Sequence, residues 1–429
     1  MFCVALGKQS DIKMDLYEAA HEFGEVGAGL TMWYRTWQIM EKLGLHKDLE
    51  ALADGKGAAE VVLHFRKSDQ PEGLYFHHMK PEGGMWAFHR ASFQKTIINH
   101  LPPSCTSHLS KRLVSYDDSA SGPIKLHFTD GTTAECDVLI GADGIKSAVR
   151  GIMSLNLANK GNLAKGEATR PNPVWSGTVA YRGLIPKERL GAKVPGHRML
   201  TQDVGMTLYC GKNKHLIVYP VNNGALINIA AYCSDFSKAG TQYSQDSKDW
   251  VADVPMEELL QKYEGWEPEV TALLECLDKP TKWAVNMVLP PSTFVLGRVA
   301  IIGDSAHAMT PHLGAGAGQA IEDAYVLAAL LASPACTPAS LPHVLQIYDT
   351  VRRPRAIDVW RRSRANGMIY EFAGAGSKHV GVRNDGVSGE TLAKMAEELE
   401  ENYDWAWKTL AETDREEALL ILSMLRAKL

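Results

Sequence analysis

GRVAIIGDSAHAMTPHLGAGAGQAIEDA, residues 297–324, decides how the rest of the chain is read. Arg298 to Gly303 is a short Val- and Ile-rich run bounded by glycines, the pattern of a buried strand in a parallel or mixed sheet. Asp304 falls where that strand ends. Pro311 then breaks the chain, Gly314, Gly316 and Gly318 allow close backbone approach, and an apolar helix is expected over Gln319 to Ala332. A helix start carries N–H groups without acceptors and the positive end of the helix dipole, so it favours an anionic or electron-rich ligand. A sharp loop with no ligand would also use glycines, but strand, acid, proline and glycines in this order point to a cofactor site.

The chain has 429 residues, 45% hydrophobic and 22% charged, enough to bury a large core in what reads as two closely joined domains. A net charge of −5 gives no electrostatic footprint for nucleic acid, and the basic cluster Arg352 to Arg364 reads as a local helix face. Seven scattered cysteines, odd in number and without a C-x-x-C pair, argue against a disulfide framework and against a zinc site. No apolar run reaches the roughly 18 residues of a membrane span, and the first residues lack the apolar core of a secretory signal. The expectation is a cytoplasmic protein, monomer or homodimer, with no transmembrane segment, nucleic acid or metal.

From the N-terminus, Asp11 to Tyr17 reads as a strand closing on Glu18, an acid placed where a ribose is often gripped. A dinucleotide-binding unit would carry a strand and a G-x-G-x-x-G turn upstream of such an acid; only Gly7 lies there, and Met1 to Ser10 reads as the far end of the helix that follows such a turn. Phe23 to Gly29 is a glycine-rich loop. Arg35 opens a helix that ends before Gly44, and is either a cofactor contact or a surface ion pair. Arg90 stands near the start of a helix running to about Leu101, either as a donor to a phosphate or flavin edge or as a solvated residue. Val61 to Arg66 and Gly73 to His78 are candidate paired strands, and Ile124 to Cys136 a hairpin. CDVLIGADGIKSAVR, residues 136–150, repeats the opening logic: an apolar strand, then Asp143 and Gly144 at its carboxyl end, then a helix.

Trp175 to Cys233 changes to alternating strands, an antiparallel sheet by its pattern. In HLIVYP, His215, Ile217 and Tyr219 fall on one face because the strand period is two. The His and Tyr either orient a phenol or carboxylate, or are a surface histidine and a packed tyrosine. Asp253 to Leu277 reads as helical, a further helix runs to about Tyr370, and the charged, amphipathic Gly389 to Leu429 should lie outside or against a partner.

GADGIKSAVR (141–150) and GDSAHAMTPHLGAGAGQAIEDA (303–324), with DLYEAAHEFGEVGAG (15–29), HRASF (89–93), AYRGLIP (180–186) and YDTVRRPRA (348–356), resemble the single-component flavoprotein aromatic hydroxylases, fungal salicylate hydroxylase-like enzymes in particular. The resemblance implies a para-hydroxybenzoate-hydroxylase-type α/β fold. Residues 1–165 and 291–372 would form the FAD-binding domain, 166–290 an antiparallel substrate-binding sheet, and 373–429 a C-terminal helical segment. Glu18 would bind the adenosine ribose, Asp304 the ribitol, and the backbone around Gly316, Ala317 and Gly318 the flavin pyrimidine. Arg90 would also touch FAD, and Asp143 would lie where the phosphates and incoming NAD(P)H are governed. Related hydroxylases place a His and a Tyr with the His215–Tyr219 spacing over the flavin, and His312 would face the same cavity.

The implied chemistry is reduction of FAD by NAD(P)H, formation of a flavin hydroperoxide with O₂, and transfer of its distal oxygen to a small phenolic or aromatic-acid substrate, with CO₂ lost where a carboxylate lies ortho to the hydroxyl. Two departures accompany the resemblance. Many relatives carry Asn where this chain has Gly318, and the first strand with its glycines is not found ahead of Glu18. The second departure leaves an alternative open: a truncated, FAD-deficient homologue that binds without catalysing.

Overall fold

A computed structural model describes the chain apart from residues 25–28, 54–61, 120–121, 160–171, 202–204, 223, 245, 374–387 and 427–429. Much of the glycine-rich loop at Phe23 to Gly29, and most of the Gly-rich stretch Ala373 to Ser388, lie outside the described residues.

The opening stretch folds as its pattern requires. Val299–Ile301 is a fully buried strand, parallel to Leu139–Gly141 and antiparallel to Val295–Leu296. A second parallel pair joins Met14–Tyr17 to Cys105–His108. Helix Gly316–Leu331 is buried on nearly every side and shares one core with both pairs, with the N-terminal helix Phe2–Gly7 and with the first half of helix Leu341–Tyr370. Its glycines lie inside its first turn, so the helix begins three residues before the expected Gln319. The first-turn N–H groups lack intrahelical partners whatever the residue, which is why glycine there weakens the helix little.

The antiparallel part is an eight-stranded sheet in the order 251–253, 281–287, 174–186, 226–234, 214–221, 206–211, 63–67, 74–79. Its last two strands pair antiparallel, as the two candidate strands should, but they dock on Met206–Gly211 and so extend the sheet beyond residues 166–290. Alternation sorts the faces. On Lys214–Val221, Leu216 and Val218 pack with Leu259, Val270 and Leu273 of the covering helices Met256–Lys262 and Pro268–Leu274; His215, Ile217 and Tyr219 face the other way. The stretch Asp253 to Leu277, read as helical, holds these two helices, which part at Gly265, whose φ is +81.

Two surface readings are corrected. Arg352 of the basic cluster is fully buried, because three acidic side chains receive it. The C-terminal segment packs on the protein's own body: Leu392, Met395, Leu399 and Tyr403 of helix Gly389–Tyr403 join the inner face of the sheet, and Ala418 and Leu422 of helix Ala411–Arg426 join the core around Gly316–Leu331. Among the described residues no helix is long and apolar enough to cross a membrane, and no cluster of His, Cys, Asp or Glu could hold a metal ion.

Candidate active site

Glu18, Asp143 and Asp304 each follow the carboxyl end of a strand in a parallel pair, the edge where ligands gather in such sheets. Asp304 is exposed although Gly303 and Ser305 on either side are buried, so its carboxylate stands on the wall of the fold. Asp143 is already engaged. Its Oδ1 accepts from Ser147 Oγ (2.5 Å) and Ser305 Oγ (3.1 Å), and its Oδ2 from the N–H groups of Ala148 (2.7 Å) and Val149 (3.2 Å). It thus caps helix Ala148–Asn159 and ties that loop to the one after Asp304. Ser305 Oγ accepts from Gly144 N–H, and Arg150 donates to the Ser305 carbonyl, so the two acidic loops are laced into one rim.

The start of helix Gly316–Leu331 has no side-chain cap, and its first intrahelical bond runs from Gln319 N–H to Ala315 O at 2.9 Å. By helix geometry the N–H groups of Gly316, Ala317 and Gly318 therefore point out of the helix without acceptors. Trp33 Nε1 donates to Leu313 O at 2.8 Å and holds the preceding turn. A Cβ on Gly318 would stand 2.8 Å from Thr36 Oγ1, so a side chain there requires Thr36 to shift.

Arg35, on the same short helix as Thr36, is buried and engaged by protein partners. Nε and Nη2 donate to Glu322, Nη2 also to Asp414 (2.7 Å), and Nη1 to Thr409. Arg352 donates to Glu322 (2.9 Å), Asp323 (3.0 Å), Asp414 (2.9 Å) and Gln319 (2.8 Å). Asp323 also accepts from Gly303 N–H and pairs with His307 at 2.5 Å. Burial alone would raise Asp323; His307 and Arg352 outweigh it and hold the carboxyl below its ordinary range. This network pins the helix start and the end of strand Val299–Ile301 to each other.

Opposite the turn lies the inner face of the sheet. His215 stacks on Tyr232 (ring centroids 4.4 Å apart) and meets His312, which descends from the turn, edge-on at 5.1 Å. His215 Nδ1 lies 2.8 Å from Glu371 Oε1, with both side chains fully buried. His215 Nε2, Glu371 Oε2 and His312 Nδ1 are buried without a partner. Burial pushes Glu371 up to about 8 and His215 down to about 3, and burial together with His215 holds His312 well below the ordinary imidazole value. Tyr219 is nearer the rim, its hydroxyl 2.8 Å from where a Cβ on Gly29 would be; burial first, then Tyr232, push that phenol up to about 12.

Comparison with known proteins decides the family. The salicylate hydroxylase of Pseudomonas putida is 35% identical over 417 residues, 96% of this chain and 90% of that protein. The chain belongs to the FAD-dependent aromatic monooxygenases. The FAD-dependent monooxygenase str9 of Strobilurus tenacellus is 33% identical over 451 residues, 97% of this chain and 94% of its own length. A solved salicylate hydroxylase substrate complex superposes with a TM-score of 0.82 at 32% identity, covering 97% of this chain and 95% of that one, so the para-hydroxybenzoate-hydroxylase-type fold is present. Residues 192–363 match the FAD binding domain family. The relatives are hydroxylases and monooxygenases by name, and nothing in them supports a binding-only homologue.

The residues of this monooxygenase fit FAD: three outward N–H groups at a helix start and an exposed carboxylate at a strand end are donors and acceptor for an electron-rich, hydroxyl-bearing group. Glu18, half-buried, accepts from Ala20 N–H at 2.8 Å, which sets its carboxylate. Arg90 is exposed as the first residue of helix Arg90–Asn99 and is not gathered with the histidines. The structure therefore brings His215 and His312 together, with Tyr219 on the same face as His215, and places Arg35 in a buried network. Sequence reading missed Glu371, a single acid after a helix end with no pattern around it. It also missed Glu322 and Asp323, although two adjacent acids in an otherwise apolar helix were a signal that buried cations must answer them.

Proposed function

We propose that this monooxygenase hydroxylates a phenolic aromatic acid with O₂ and NAD(P)H, bound between the turn before Gly316 and the inner face of the sheet. The observation that supports this most is the meeting of His312, from the cofactor turn, with the His215–Glu371 pair, from the sheet and the end of the long helix. FAD, reduced by NAD(P)H, supplies activated oxygen. The protein's part is to hold the ring and take its phenolic proton, since an ionised phenol is the better nucleophile.

The buried pair is built for that proton. Above about pH 8, where Glu371 is ionised, His215 Nδ1–H donates to it and the lone pair of Nε2 is free to accept. When Nε2 takes a proton, Nδ1 passes its own to Glu371, leaving a neutral acid beside a neutral imidazole, the form that burial favours. Tyr219, kept a phenol by its surroundings, serves as hydrogen-bond donor rather than base. Where a carboxylate lies ortho to the phenol, oxygen inserted at the carboxyl-bearing carbon releases CO₂.

The FAD-loaded protein should be yellow, and NADH or NADPH oxidation should rise when a hydroxybenzoate is added, with a hydroxylated product by mass spectrometry and CO₂ from 2-hydroxybenzoate. A flavin-loaded protein whose oxidation of both nicotinamides ignores every phenolic acid, with no product, would overturn the reading.

A further inference from the structure

One cation on the inner face of the sheet has no acid to answer it among the described residues. Strand Val174–Pro186 turns Tyr181 and Ile185 into the outer layer and Ala180 into the inner one, so Arg182 stands on the inner face. The register sets Arg182 beside Ala230 and Ala230 beside Ile217; the adjacent row is Ala180, Tyr232 and His215. Both nearby phenols register the charge: burial raises Tyr219 and Tyr232, and Arg182 draws each of them back down. The guanidinium lies 5.7 Å from the ring centroid of Trp283 on the neighbouring strand.

Other arginines packed against this sheet are paired, Arg66 with Glu267 and Arg198 with Glu269, and Lys282 next to Trp283 is held by Glu258. Among the described residues Arg182 has neither a hydrogen bond nor an ion pair, and it is half-buried. A partly desolvated guanidinium without a carboxylate is a site waiting for one, because its planar fork of donors matches a carboxylate bidentately. The surface around it is shaped for a flat ring: Ala180 and Ala230 leave a low floor, bounded by Tyr219, Tyr232 and Trp283. A diphosphate would call for several cations, and Lys67, on the same face, is already held by Asp69.

We propose that Arg182 anchors the carboxylate of the aromatic-acid substrate and thereby fixes which edge of the ring is turned to His215. This rests on the hydroxylase reading above and adds the residue that recognises the acid. Where CO₂ is lost, the anchored group leaves with it, and the neutral product is held less tightly than the substrate.

The test uses the FAD-loaded protein and its Arg182→Met and Arg182→Lys variants, titrated with 2-hydroxybenzoate and with 2-hydroxybenzamide, reading the flavin absorbance change for binding, alongside KM for NAD(P)H. Arg182→Met should weaken the acid about 10- to 100-fold and the amide less than about threefold, with Arg182→Lys between wild type and Met for the acid. Equal losses for acid and amide, an unchanged affinity for the acid, or an effect confined to NAD(P)H would overturn the proposal, the last reassigning Arg182 to the nicotinamide cofactor's phosphates. A wild-type protein that binds the acid with this Arg182 dependence yet oxygenates nothing would sink the hydroxylase reading and spare Arg182. One that hydroxylates neutral phenols but binds no acid would do the reverse.

Discussion

Two buried sets of ionisable groups lie either side of the turn at Pro311 to Gly318, and they are satisfied to opposite degrees. In the first, Arg35 and Arg352 share Glu322 and Asp414, and Arg352 and His307 together hold Asp323. In the second, His215, Glu371 and His312 make one hydrogen bond among their side chains and leave three buried atoms without partners among the described residues. A complete network holds one geometry; an incomplete one is tolerated only where a ligand or a transferable proton supplies the missing partner. The contrast separates the residues that fix the cofactor turn from those that work beside it.

Breaking the complete set should have the largest effect. Arg352→Met takes one buried cation from each of three carboxylates and should lower unfolding free energy by about 3–5 kcal/mol, seen as a lower urea midpoint, with FAD content falling because the helix start is unmoored. A variant as stable and as yellow as wild type would show the network to be dispensable. Breaking the incomplete set should strike turnover instead. His215→Asn should lower kcat about 10²- to 10³-fold, leave bound FAD unchanged, and shift the urea midpoint far less than Arg352→Met; an equal loss of stability would make His215 a packing residue.

At the boundary between the sets, Gly318→Ala should lose about 1–3 kcal/mol, because the new methyl meets Thr36 Oγ1. Adding Thr36→Ala should recover most of that. If the double variant is simply the sum of the singles, the close approach is not the reason for the glycine. The smallest effect is in pH dependence. Glu371, raised from 4.5 to about 8, keeps a proton in the fold that the unfolded chain releases, so its contribution to stability is full below 4.5 and lost as pH rises toward 8. His215, lowered from 6.5 to about 3, contributes in the opposite sense: fully above 6.5, and lost as pH falls toward 3. Of this pair only Glu371 slopes between 6.5 and 8, so Glu371→Gln should flatten its share of the decline in Tm across that window. An unchanged decline would assign it to another group.

What could be read in the chain followed its local patterns. The strand at Val299–Ile301, Asp304 after it and the common face of His215 and Tyr219 all follow from periodicity and breakers within a few residues. What could not be read depends on distant partners. Nothing near Arg35 signals that its acids lie 287 and 379 residues away, and a lone arginine at a helix start looks the same beside water or beside Glu322. Strands Leu63–Lys67 and Leu74–Met79 are recognisable as a pair, but their docking on Met206–Gly211 is set by packing that no spacing encodes. Asp143 was recognised as special; that its carboxylate serves a helix cap and Ser305 appears only in three dimensions.

Asp414 follows in the chain every group it neutralises, Arg35, Arg352 and the half-exposed Arg355 alike. During synthesis, then, the strand, the turn and the helix at Gly316–Leu331 emerge before the carboxylate that completes their charge balance. Until that segment has left the ribosome, the two guanidinium groups have only Glu322 and Asp323 as anions. Cofactor loading is therefore expected late, and a chain ending before Asp414 should hold less FAD than the whole chain, measured by flavin absorbance.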